Sequence, residues 1–181
     1  MNMHLAQDRD LAAAGRHPPS LMGAAVTRVD GTLECVSKKV RHLYEWWRRT
    51  CDGLPPPDWS RFDVVEHKAV VANLDLIKRM APRHWVFTLK GEGVHEIFPR
   101  NKATGPVAVL HDPATALALT DYYDTVVATG CCHLVRGTIV NDRKDNIDIE
   151  SIDCPFIDSR TGRYVILGAI EHIAIRHPLP E

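Results

Sequence analysis

Leu33, Val36, Val40, Leu43 and Trp47 recur at spacings of three, four, three and four residues. That is the apolar seam of an amphipathic helix. The pattern predicts a helix from about Thr32 to Cys51, capped by Thr32 or Asp30 and stopped by "CDGLPPP". Gly53 there can turn left-handed and the prolines cannot continue a helix. A hairpin about Asp30-Gly31, from "AAVTRV" and "TLECV", is the competing reading and is set aside for the helix. Beyond the prolines the period changes to two. "LDLIKRM" and "HWVFTLKG" read as strand, turn and strand, with Trp85, Phe87 and Leu89 on one face. "EGVHEIFPRNKATGP" has room for a turn or two of helix.

The clearest helix is "DPATALALTDYYDTVVATG". Asp112 is a suitable N-cap, Pro113 fits the first helical position and Gly130 is placed to end it. Leu117, Leu119, Tyr122, Tyr123, Val126 and Val127 supply a broad apolar stripe. Three strands close the chain: about Cys132 to Val140, Ile147 to Ile157 and Tyr164 to Ile173. The polar turns "NDRKDN" and "DSRTG" make them an antiparallel meander. In the middle strand the apolar phase moves from Ile147 and Ile149 to Ile152, Cys154 and Phe156, which predicts a bulge near Glu150 or Ser151.

The expected fold is α+β: a five-stranded antiparallel sheet with helices over one face and a cavity between them. The expected division is a flexible tail over 1–31, a helix over 32–53, a domain over 54–175 and a short tail over 176–181. The seam has two readings: Leu43 and Trp47 pack on the domain core, or Leu33, Val36, Val40, Leu43 and Trp47 are a candidate dimer interface, because a helix standing before a domain can pair with its copy.

Composition narrows the function. The chain has 181 residues, 45% of them hydrophobic and 25% charged, with a net charge of −1. This is a single-domain profile, and it lacks the basic excess expected of a protein that grips nucleic acid. No apolar run approaches the length of a membrane helix, and "MNMHLAQDRD" has acids where a signal peptide needs bases. A cytoplasmic protein with five reduced cysteines is therefore expected.

"CCHLVRG" sets Cys131 and Cys132 directly before His133. On a strand, Cys131 and His133 share one face and Cys132 takes the other, so the three cannot readily hold one ion. A zinc site would want paired spacings such as C-x-x-C, and no such pair exists, so no metal is expected. The set reads first as the start of a strand. Arg136 shares the face of Cys132 and Leu134; were that face inward, it would need an anionic ligand or an acid partner. No nucleophile elbow and no phosphate loop is present, so no catalytic residue is assigned.

The order of elements is similar to the PAS fold. "LYEWWRR", "LPPPDWSRFD", "FTLKGEGVHEIFPRN...TG", "DYYDTVVATG", "IDCPFID" and "YVILGAIE" resemble stretches of stand-alone bacterial PAS proteins, from about Leu43 to Ala174. Gly91, Val94, Ile97, Phe98 and Thr104-Gly105 follow the family's pattern after the second strand. Pro99 and Asn101 depart from it. The resemblance implies a sensory or regulatory domain, with a small-molecule ligand, a protein partner or a second copy of itself. It names no cofactor. Haem would look to His95 or His111, since the long helix has no histidine, and "FPRNKATG" lacks the cysteine of a photoactive flavin site. Trp85, Phe87, Leu89, Ile97, Tyr122, Tyr123, Ile166 or in its place Ile170, and conditionally Arg136 are the cavity candidates, with plain core as the competing reading of each apolar one. A protein-interaction adaptor with a filled core and a small acid–base enzyme are the alternatives.

Overall fold

The computed structural model describes residues 20–51, 56–101 and 103–173. The start of the expected tail, the Gly53 helix stop and the segment 176–181 lie outside the described residues. The five expected strands are present as Leu74–Ala81 (β3), His84–Lys90 (β4), Cys132–Val140 (β6), Asn146–Asp158 (β7) and Arg163–His172 (β8). Among the described residues they are joined by Ser20–Leu21 (β1), Ala24–Val29 (β2) and Gly105–Pro106 (β5). Together these form a wider antiparallel sheet of eight, in the order β1-β2-β6-β7-β8-β3-β4-β5. Residues 20–29, assigned above to the tail, are therefore part of the sheet. "AAVTRV" is a strand, but its partner is β6 and not "TLECV". Short-range alternation gave no hint of that distant partner.

Helices cover both faces of the sheet, not one. Glu92–Ile97 (α2), Val107–Leu110 (α3) and Pro113–Thr129 (α4) lie over the inner face, where Ile77, Trp85, Val135 and Ile166 meet Tyr123 and Val126. Lys38–Thr50 (α1) lies over the outer face, where Val40, Leu43 and Trp47 pack with Leu74, Cys154, Phe156 and Leu167. α4 is built as its sequence implies. Asp112 accepts from the amides of Ala114 and Thr115 at 3.1 Å, Pro113 opens the helix, and Gly130 ends it at φ +64°. Leu117, at 55% exposure, falls outside the buried stripe.

The dimer seam changes role. Val40 and Leu43 are fully buried and Trp47 nearly so, all against the sheet of their own chain. Trp47 donates its indole N–H to the Pro155 carbonyl at 2.8 Å. Leu33 is half-buried and Val36 exposed, which leaves two of the five candidates at the surface. A sheet with a second apolar face is a larger and nearer surface than another copy of a short helix. Leu43→Ala is expected to destabilise the folded chain by about 3 kcal/mol. Urea denaturation checks this; a loss under about 1 kcal/mol would contradict the packing.

α1 also begins later than expected. Ser37, not Thr32, caps it, accepting from Val40 N at 3.1 Å. Glu150 of β7 decides the start. Its fully buried carboxylate accepts from the amides of Val36 (2.9 and 3.1 Å) and Ser37 (2.6 Å). Glu171 of β8 takes the Ser37 hydroxyl at 2.6 Å and Lys39 at 2.8 Å.

The expected bulge in β7 is absent: its register runs unbroken from Asn146 to Asp153 against β6 and from Ile149 to Asp158 against β8. Ile147 and Ile149 face inward while Ile152, Cys154 and Phe156 face outward, so a strand covered on both sides imitates a change of phase. Two irregularities lie instead between β3 and β4, at Leu76/Ile77 and at Arg79/Ala81, and the first redirects the cavity strand. Leu76 pairs with Leu89 but Ile77 pairs with Phe87, leaving Thr88 as the extra residue. The strand turns over there. Trp85 and Phe87 face inward, Leu89 is 42% exposed, and Lys90 comes to lie opposite Asp75.

Candidate functional site

An interior cavity of about 90 Å³ lies between the inner sheet face and α2–α4. Most of its wall is apolar or aromatic. Of the residues proposed from sequence, Phe87, Tyr122, Tyr123 and Ile170, the alternative to Ile166, line it. Trp85, Ile97 and Ile166 belong to the surrounding core and do not reach the cavity. Leu89 is turned away by the bulge at Thr88. Arg136 is on the outer face, half-exposed, with its Nε 3.6 Å from Glu150 Oε1, so its partner is an acid and not a ligand of the cavity.

The polar groups of the cavity were not singled out from sequence. Gly168 of β8 is paired on one side with Asp75 of β3 and on the other with Asp153 of β7. Both carboxyl groups lean over the glycine. A Cβ at Gly168 would collide with Asp75 Oδ1 and stand 2.9 Å from Asp153 Oδ1. Glycine is required there by space, not by its backbone angles. Tyr122 donates its hydroxyl to Asp153 Oδ2 at 2.6 Å. Burial raises both acids, Asp75 to about 7, helped by the neighbouring Asp153 charge, and Asp153 to about 6, opposed by the Tyr122 bond. Two carboxyls this near in an apolar setting resist ionising together.

Lys90, opposite Asp75 in the β3–β4 pairing, and His111 also line the cavity. Lys90 Nζ is 3.1 Å from both the carbonyl and the side-chain oxygen of Asn101 and 4.4 Å from the centre of the Phe87 ring. Burial lowers its pKa, and Asp75 and Asp142 pull it back up. His111, 3.4 Å from Asn101 Nδ2, is lowered by burial and by Lys90, which favours the neutral imidazole near pH 7. The hydroxyls of Tyr123 and Ser151 also belong to this cavity. Both residues are more than nine-tenths buried, and neither side chain makes a hydrogen bond among the described residues.

The Cys131-Cys132-His133 stretch divides between the faces. Cys132 Sγ lies 3.0 Å from Cys154 Sγ in the outer core, while the His133 ring is 3.1 Å from the Thr129 hydroxyl near Tyr122. Cys131 precedes the strand. Among the described residues no group of three His, Cys, Asp or Glu is placed to hold a metal ion. The other haem candidate, His95, sits beside Glu92 at 3.4 Å and does not line the cavity. A space of about 90 Å³ is also far smaller than the roughly 300 Å³ and more that ligand pockets commonly offer, and so is small for haem or flavin.

No family model and no curated protein matches the chain. Solved structures similar to it include an RNA-binding light-oxygen-voltage receptor, with a TM-score of 0.47 and 11% identity. The similarity covers 86% of this chain, which spans about 40% of that receptor's length. Among the described residues no helix is long and apolar enough to cross a membrane.

A signal for the acids did exist. Asp75 and Asp153 each sit inside an apolar strand, in "NLDLI" and "SIDCPF", where a carboxylate has no structural reason to be.

Proposed function

We propose that this chain is a sensory or regulatory domain of the PAS kind, which takes a small molecule into the cavity between sheet and helices. The order of elements supports the reading: two strands, short helices, a long helix and three strands, as the resemblance implies. The observation that carries it is the cavity itself, apolar over most of its wall yet holding paired acids and two unused hydroxyls. Polar groups set in a largely apolar wall are placed to orient a guest that enters it. Occupancy biases the sheet, and a protein partner or second copy reads the change at the surface beside α1, where Leu33 and Val36 remain accessible.

Native mass spectrometry of the gently purified protein, set against its denatured mass, tests the reading. A surplus mass lost on denaturation is the expected result, and it sizes the ligand and the oligomer together. A chain with no surplus mass that still forms a dimer would instead be an interaction adaptor.

One observation favours a second reading, the small acid–base enzyme. A carboxyl pair raised toward neutrality is equipped to take and return protons. The released molecule, offered again to the protein, discriminates: an enzyme converts it and a sensor returns it unchanged.

A further inference from the structure

We infer that the cavity is built for a small organic cation, a primary ammonium or amidinium ion of a few heavy atoms, in keeping with its volume of about 90 Å³. This rests on the reading of the cavity as a ligand site and adds the class of ligand.

The cavity is one positive charge short. Asp75 and Asp153 bring two carboxyl groups to one point above Gly168. Lys90 is the single ammonium among the lining residues; it lies opposite Asp75, is bonded to Asn101 and rests against the Phe87 ring, so it can offset one of the two carboxyls and not both. His111 is held neutral by burial and by Lys90. Tyr122 donates to Asp153 and adds no charge. The second carboxyl must therefore keep a proton or receive a cation from outside.

The remaining polar atoms favour the cation. Asp153 Oδ1 has no hydrogen-bond donor among the described residues, and the Tyr123 and Ser151 hydroxyls offer further free acceptors. A ligand rich in N–H donors satisfies all of them, whereas an anion would add charge to a site that already repels it. Tyr122 and Tyr123 also bring aromatic rings to the wall, which suit an organic cation. Gly168 leaves the room in which the two carboxyls come together; a larger residue there would displace the Asp75 carboxyl.

Titration calorimetry of the full chain with ethylammonium, acetamidinium, acetamide and acetate, at matched ionic strength, tests the inference. Acetamidinium is the planar cation and acetamide its neutral near-isostere. Binding of acetamidinium or ethylammonium at least tenfold tighter than acetamide is expected, with acetate weakest. Asp153→Asn and Asp75→Asn, each verified as folded by urea denaturation, should each reduce that preference at least tenfold. Acetamide or acetate binding as tightly as the cations would overturn the cation assignment and leave the ligand-site reading standing. An unchanged preference in both folded variants would overturn it too. If no probe binds, the assignment falls; the broader reading falls with it only when native mass spectrometry also finds no retained molecule.

Discussion

Asp153→Asn makes the protein more stable at pH 8 and leaves its stability at pH 4 almost unchanged. In the folded chain Asp153 and Asp75 hold their protons up to about 6 and 7. In the unfolded chain an aspartate lets go near pH 3.9. Between those limits the folded state binds more protons, so the pair's contribution to stability is complete below about pH 4 and is lost as pH rises through about 6 to 7. Asparagine removes the charge that must be buried and still accepts from Tyr122. Lys90 keeps Asp75 as its neighbour. A gain of about 3 kcal/mol at pH 8 follows from a shift of roughly two units at about 1.4 kcal/mol per unit, together with relief of Asp75. Urea denaturation at pH 4, 6 and 8 measures it. Asp58, held below the usual carboxylate range by Ser159 and Ser60, also shapes the acid limb, but equally in both proteins. A difference between variant and parent that does not grow with pH would mean the acids are not buried together.

Glu150→Ala is the most damaging single change foreseen on the outer face. The carboxylate is inaccessible to solvent and receives the amides of Val36 and Ser37, with Arg136 Nε at 3.6 Å. Truncation leaves those amides without an acceptor and removes the negative charge from the start of α1, where it is favoured. A loss of about 4 kcal/mol is expected, on the scale of breaking a buried ionic contact. For a chain of this size that lowers Tm by roughly 10 °C, at about 2–4 °C per kcal/mol. Glu150→Gln keeps one acceptor and should lose about half as much. Scanning calorimetry of both variants decides; a fall in Tm of under about 2 °C for alanine would show that α1 is held by its apolar face alone.

The elements of this fold were legible where local chemistry writes them. Asp112, Pro113 and Gly130 fix α4, and polar turns separate the last three strands. What sequence could not give was the partner of each face. The seam through Val40, Leu43 and Trp47 states that an apolar surface must be covered, but not by what. "AAVTRV" has no nearby complement because its partner lies across the sheet in β6. The altered phase in β7 was real, yet its cause was burial on two sides. The true bulge at Thr88 left no mark except Lys90 at an odd position. Phe87, Tyr122 and Tyr123 could be placed at the cavity by apolarity. Asp75, Asp153, Ser151 and Lys90 are polar, and so were passed over by a search for a core.

β7 gives alternate residues to two tasks: Glu150 to α1 on one side, Ser151 and Asp153 to the cavity on the other. The strand is thus unusually intolerant of a change in length. One residue inserted ahead of Glu150, with the pairing beyond it slipped by one, would exchange the faces. The carboxylate that anchors the helix would point into the cavity, and the acid that belongs there would face the aromatic outer core. Replacement of side chains along β7 would be judged position by position, whereas a shift of frame within the strand would undo helix anchor and cavity together.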